Sequence, residues 1–227
     1  MFNPLPPEVE RARLIAAGAL LVLTVLAAAQ LLTQPEPRQT ALRAERLQEF
    51  AADPAACQAA LTQAGFVVTP APDLRENARC GYAHAVTLAS VTGLPSGPPP
   101  VSCAAAAALA LWERDVVAEA AATHLGQPVA RIELSGPAYS CRPIAGRRDG
   151  RMSEHARANA VDVQAFVLAD GSRLTVRSWT GDPDERAFLR AVRDGACEPF
   201  NVVLSPDYNA AHADHLHLDM GVHDLCR

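Results

Sequence analysis

Two short segments of this sequence concentrate side chains that bind divalent metals. The first is S-E-H-A-R-A-N-A-V-D at 153–162, and the second is H-A-D-H-L-H-L-D at 212–219. Zinc takes imidazole nitrogen and carboxylate oxygen, and a hydrolytic site keeps three protein ligands and one open position for water. His155 and Asp162 would each supply one ligand, from a loop and from the strand that follows it, and His217 the third. On a strand, alternation puts His215, His217 and Asp219 on one face, with Asp214, Leu216 and Leu218 on the other. One imidazole can then bind metal while its neighbour handles protons. Four of the seven histidines lie in these two segments. His84, His124 and His223 have no partner motif and read as structural or surface residues. Taken alone, these residues leave a divalent-metal site and ordinary structural histidines as competing readings.

Such side chains need elements to hold them. Residues 161–168 and 173–177 read as strands flanking Asp170-Gly171, a strong hairpin signal. Residues 66–69, 129–134, 200–204 and 215–220 read as further strands. Residues 80–91 read as extended, with Val86, Leu88 and Val91 apolar. The longest helical pattern is 103–125, stopped by Gly126. Glu113, Arg114 and Asp115 interrupt its apolar run, so it is expected to be a buried core helix rather than a membrane span. Shorter helices are expected over 41–52, over Cys57 to Ala64 before Gly65, and over 184–196, where Phe188, Leu189 and Val192 share a face. GLPSGPPP at 93–100 reads as a loop. Helices first and strands mostly later predict an α+β fold, a small antiparallel sheet flanked by helices.

Ahead of this body lies Leu14 to Leu32, whose one strongly polar member is Gln30. At ~1.5 Å per residue it spans roughly 28 Å, close to a bilayer's apolar thickness. Arg11 and Arg13 precede it, which favours an N-terminus inside and a body outside. The expected division is a cytoplasmic tail at 1–13, a transmembrane anchor at 14–32, a linker with a short helix at 33–56, and one domain at 57–227. A signal peptide cut near Ala27 to Ala29 is the alternative. Six cysteines, none in a C-x-x-C pair, read as three disulfides in an oxidising compartment. Cys197 with Cys226 would pin the C-terminus. A net charge of −5 and 5% aromatic residues exclude a basic footprint or a stacking platform for nucleic acid.

The first segment resembles the S-x-H-x-x-G-x-A-x-D signature of zinc peptidases that include D-Ala-D-Ala carboxypeptidases and dipeptidases. The H-x-x-H-x-H at 212–217 resembles the penicillin-insensitive murein endopeptidases of the same superfamily, whose core hedgehog signalling domains share. S-G-P-A-Y-S-C-R at 135–142 is similar to the S-G-Y-R element that precedes the first motif in those enzymes. The whole pattern covers about residues 57–227: S-C-R, S-E-H-A, F-x-L-x-D-G, F-L-R, a late cysteine and H-x-D-H-x-H-x-D. It resembles the bacterial extensin-like C-terminal family.

The resemblance implies a hedgehog/DD-peptidase-like fold and a role for each matching residue. His155, Asp162 and His217 match the zinc ligands. His215 matches a histidine acting as base or stabiliser, and His212 a second active-site histidine. Arg142 matches the arginine that holds the substrate carboxylate or the tetrahedral intermediate, and Ser153 a substrate-side or supporting serine. A disulfide at Cys141 would fix the loop of Arg142. Two positions depart from the signatures. Ala158 stands where the wider signature has glycine. Asp214 stands where the carboxypeptidases place a glutamate base. In a regular strand Asp214 faces away from His217, so His215 is the expected base, with Asp214 the alternative if the strand is bulged.

The expected activity is zinc-dependent hydrolysis of peptide cross-links in peptidoglycan, by a periplasmic domain on a single-pass anchor in the bacterial inner membrane. The alternatives are a D-Ala-D-Ala carboxypeptidase, a wall-binding module whose structural zinc takes His215 or His212 as fourth ligand, and a metal-free scaffold.

Overall fold

The computed structural model describes Leu42 and residues 46–90, 92–144 and 150–227. The expected cytoplasmic tail, the membrane segment and much of the linker lie outside the described residues, as does Val91. No helix among the described residues is long and apolar enough to cross a membrane.

Two short helices open the domain, α1 (Leu47–Ala52) and α2 (Pro54–Gln63). Asp53 starts the second. Its carboxylate accepts the Ala56 N–H at 3.0 Å, and Pro54 suits a first helical position. Gly65, at φ +92°, ends α2 in a backbone region that disfavours any residue with a Cβ. Four short strands follow: β1 (Val67–Pro70), β2 (Leu74–Arg75), β3 (Gly81–Tyr82) and β4 (Val86–Ala89). β1 pairs with β4, and β2 with β3, in two separate antiparallel ribbons. The single extended run expected over 80–91 is therefore broken. His84 turns the chain at φ 55°, and the buried alternation of Val86 and Leu88 belongs to β4 alone.

Next come β5 (Thr92–Gly93), α3 (Cys103–Leu111), a π-helical stretch at Trp112–Val117, α4 (Ala118–His124) and β6 (Val129–Leu134). Ser102 caps α3 by accepting the Ala105 N–H at 3.1 Å. Every residue of α3 is buried, as an all-round apolar helix requires. The helix expected over 103–125 is present, but it widens at Trp112–Val117 and stops at Gly126 with φ +65°.

The remaining elements are β7 (Ala160–Leu168), β8 (Arg173–Thr175), α5 (Pro183–Ala196), β9 (Val202–Leu204), β10 (Leu216–Asp219) and β11 (Leu225–Cys226). Gly195 brings α5 close to the π-helical stretch, where any Cβ would collide with Val116. Trp112 donates its indole N–H to the Val192 carbonyl at 2.8 Å, and Phe166 stacks edge-on against Phe188 with centroids 4.9 Å apart. The helices thus bury their apolar faces on one side of a sheet. Asp182 caps α5 by accepting the Asp184 N–H at 2.9 Å. An Asp182→Ala substitution is expected to lower stability by about 1 kcal/mol in denaturant unfolding, with no change in metal content.

Among the described residues, seven strands form one sheet in the order β11-β9-β10-β7-β6-β5, with β8 also paired to β7. The sheet is mixed, not antiparallel as expected from sequence. β5 runs parallel to β6, and β11 parallel to β9. The helices between β5 and β6 form the long crossover that a parallel pair needs. β7 is the axis of the site. Its first half pairs with β10 and its second half with β8.

Three disulfides brace the frame: Cys57–Cys103, Cys80–Cys141 and Cys197–Cys226. The last joins the end of α5 to β11, as the sequence led us to expect. Such bridges place the domain in an oxidising, extracytoplasmic setting.

Candidate metal centre

The β7–β10 register brings two of the expected ligands together. His217 stands directly opposite Asp162, flanked by the pairs Leu216–Val163 and Leu218–Val161. Alternation sends those four apolar side chains into the core, while His217 and Asp162 emerge on the other face. The pairing of β6 with β7 shifts between Glu133–Ala165 and Leu134–Val163, which leaves Gln164 as an extra residue. This bulge returns Phe166 to the core face, so β7 buries both halves and still exposes Asp162 to the site.

His155 arrives from the turn just before β7. Residues Glu154–Arg157 form one turn of 3-10 helix, and the Ser153 hydroxyl accepts the His155 backbone N–H at 3.3 Å. Ala158 closes the turn in the left-handed region, at φ 53° and ψ 31°. That conformation is natural to glycine and disfavours a residue with a Cβ. The 138–142 segment is laced onto this turn. The Ala138 carbonyl accepts the His155 Nδ1–H at 3.0 Å, the Ser140 N–H donates to the His155 carbonyl at 3.0 Å, and the Ser153 N–H donates to the Arg142 carbonyl at 3.1 Å.

The three side chains converge. His155 Nε2 lies 3.1 Å from Asp162 Oδ2, His217 Nδ1 lies 2.8 Å from Asp162 Oδ1, and the two nitrogens are 3.3 Å apart. All three potential ligand atoms lie within 4.8 Å of one another. The outer nitrogens are tied back. His155 Nδ1 faces the Ala138 carbonyl, and His217 Nε2 donates to Asp219 Oδ2 at 2.8 Å. Asp219 is itself held by the Gly221 N–H at 2.7 Å. Metal-binding histidines are oriented in this way by a carbonyl or a carboxylate behind them. The donor set and its backing fit a divalent metal ion.

Electrostatics follow from this packing. Burial alone would depress the proton affinity of His217, but hydrogen bonds to Asp162 and Asp219 outweigh it and raise its pKa to about 9. Burial alone would raise Asp162, but the hydrogen bonds and charges of His155 and His217 hold its carboxyl far below the usual carboxylate range.

The other expected residues lie around the cluster. The His215 Nε2 lies 3.8 Å from Asp162 Oδ1, and its Nδ1 lies 2.9 Å from Asp214 Oδ1. Asp214 also receives Arg177 at 2.6 Å. Its carboxyl is pulled below its ordinary range by the His215 hydrogen bond, and Arg177 adds to the effect. The His212 ring sits 5.1 Å from that of His215 and 6.1 Å from that of His217. Burial, and then the charges of His215 and His217, push His212 down to about 4. Arg142 reaches over the centre with its Nη2 3.8 Å from Asp162 Oδ2, more than half of its side chain exposed. Ser153 acts here as the cap of the His155 turn.

Asp219 is a member the sequence reading placed on the right face without assigning it to the site. Its spacing of two from His217 was the available signal. Asp219→Asn keeps the shape but weakens the carboxylate behind His217. Metal affinity is expected to fall by about 10–100-fold, read by competition with a chromogenic chelator.

Comparison with known proteins gives one match. Residues 55–227 match the family described as Extensin-like protein C-terminus. No curated protein and no solved structure matches the chain. The match covers all six disulfide-bonded cysteines and both segments that build the metal cluster, and the chain therefore belongs to the extensin-like C-terminal family.

Proposed function

We propose that this domain is a zinc-dependent hydrolase of peptide cross-links in peptidoglycan, held at the outer face of the cytoplasmic membrane by residues 14–32. The observation that carries the reading is the His155–Asp162–His217 cluster, with each imidazole's outer nitrogen tied to a carbonyl or a carboxylate. The likeness of the two segments to zinc-peptidase motifs, and their H-x-x-H-x-H form, supports a murein endopeptidase over a carboxypeptidase. When bound, zinc acidifies water and polarises a carbonyl.

The chain's own residues supply the rest. His215 lies beside the cluster and accepts a proton at Nε2, while Asp214 holds its Nδ1 and favours the imidazolium that results. The same proton is then available to the leaving amine. Arg142, exposed over Asp162, binds the carboxylate or developing oxyanion of the substrate. Its loop is clamped by the Cys80–Cys141 bridge and by the Ser153 N–H. His212, with its affinity for protons lowered, remains a neutral donor and acceptor at the rim near pH 7.

Digestion of purified peptidoglycan by the metal-loaded protein tests this. Cross-linked muropeptide dimers should be split into monomers. Release of free D-alanine without loss of dimers would make the domain a carboxypeptidase. Intact dimers and no alanine would leave a second reading, a wall-binding module with structural zinc. That reading has its own support in His215 Nε2, 3.8 Å from Asp162 and placed to close the coordination.

A further inference from the structure

Behind the His155 turn lies a second feature that hydrolysis does not use. A cavity of about 440 Å³ is lined by Arg75, Arg79 and Arg157, with Asp73 the sole carboxylate among its described lining residues. We propose that this cavity binds an oxyanion, the carboxylate or phosphate of an acidic ligand.

Three observations support it. First, the charge is out of place. The chain carries a net charge of −5, and most arginines elsewhere on the domain are paired with acids: Arg114 with Asp115, Arg173 with Glu133, Arg177 with Asp214, Arg190 with Asp207. Arg75 and Arg157 have no such partner among the described residues, and Arg79 donates to the Gly150 carbonyl. Second, Asp73 forms no ion pair with these arginines among the described residues. Its Oδ1 accepts the His84 backbone N–H at 2.9 Å and holds the left-handed turn between β3 and β4. Third, the arginines are carried on braced backbone. Arg75 lies in β2, paired with Gly81 of β3. Arg79 precedes Cys80, which is bonded to Cys141. Arg157 ends the turn that bears His155. Three arginines lining one cavity offer several N–H donors, and the planar guanidinium matches the geometry of carboxylate and phosphate oxygens.

This binding does not depend on the hydrolase reading, and a chain that cuts nothing would still show it. The test is titration of the full-length protein in detergent, freed of metal by chelator, with sodium phosphate and separately with sodium succinate. Ionic strength is held constant with sodium chloride, and heat or thermal stabilisation is recorded. Saturable binding of at least one probe is expected. Arg75→Gln and Arg157→Gln should each weaken it, and together by about tenfold or more, while Arg114→Gln should not. Tighter phosphate binding assigns the site to a phosphate-bearing ligand, and tighter succinate binding to carboxylates. No saturation beyond chloride, wild-type affinity in the folded double variant, or binding that appears only after metal is restored would each overturn the proposal.

Discussion

His155→Ala is expected to abolish both metal retention and hydrolysis of peptidoglycan. The substitution removes one of three donors and leaves a two-ligand site that cannot hold zinc against buffer and water. Activity should drop by at least about a thousandfold, because the loss touches the reacting centre itself. Metal content is measured by elemental analysis after gel filtration, and activity by muropeptide product analysis. The comparison that makes the result specific is His223→Ala. His223 contacts Arg151, outside the cluster, and its variant should retain both properties. Thermal unfolding of the two variants separates loss of a ligand from loss of the fold. His155 is buried, so a modest decrease in stability is expected in the first variant. Full hydrolysis by folded His155→Ala protein would falsify the assignment of the centre.

Raising the pH from 6.5 to 9 is expected to strip about 3 kcal/mol of stability from the metal-free domain. The change follows from one side chain. In the unfolded chain His217 titrates near 6.5, and in the folded metal-free chain at about 9. A raised pKa contributes its full stabilisation below the unfolded value and loses it as pH rises through the folded one. That shift is worth about 3 kcal/mol at most. Asp162 acts in the opposite sense. Its folded pKa is depressed, so its contribution is present above the ordinary carboxylate value of 3.8 and declines as the solution becomes more acid than that. His212, held down to about 4, costs stability as the pH falls from 6.5 toward 4, because the unfolded chain takes up that proton first. The metal-free domain should therefore be most stable near pH 6.5 and weaken on both sides.

Metal reverses the alkaline limb. Binding needs the Nδ1 of His217 without its proton, so uptake at pH 7 should release about one proton per ion. Calorimetry in buffers of different ionisation enthalpy reads that proton directly. A flat stability profile from pH 6 to 9, with no proton release on metal uptake, would mean that His217 is not the cation shared by Asp162 and Asp219.

Much of the local structure was legible without coordinates. The all-round apolar run from Cys103 could only be a core helix, and its stop at Gly126 was correctly placed. The Asp170-Gly171 turn joins β7 to β8 as read, and α5 covers the predicted span to within a residue. These features are local: capping, turn chemistry and periodicity act over a few residues. Parallel pairing was not legible. β5 and β11 are two-residue strands with no alternation to detect, and only the helical crossover and the return from β10 bring them to their partners. The break at His84 was also hidden, because nothing in a Y-A-H-A stretch announces a left-handed residue.

The chemistry divides along the same line. Residue types and spacing by themselves determined that His155, Asp162 and His217 were the metal donors to consider, and that His217 and Asp219 would share a face, because a strand's alternation is a property of the chain. Tertiary structure alone decided that the donors meet. His155 and His217 are far apart in the chain, and it took the β7–β10 register, the Gln164 bulge and the left-handed Ala158 to set them around Asp162. It also decided which nitrogen of each ring faces inward, through a backbone carbonyl at Ala138 and a carboxylate at Asp219. A carbonyl carries no signature in the sequence, and a partner's direction exists only once the chain has folded.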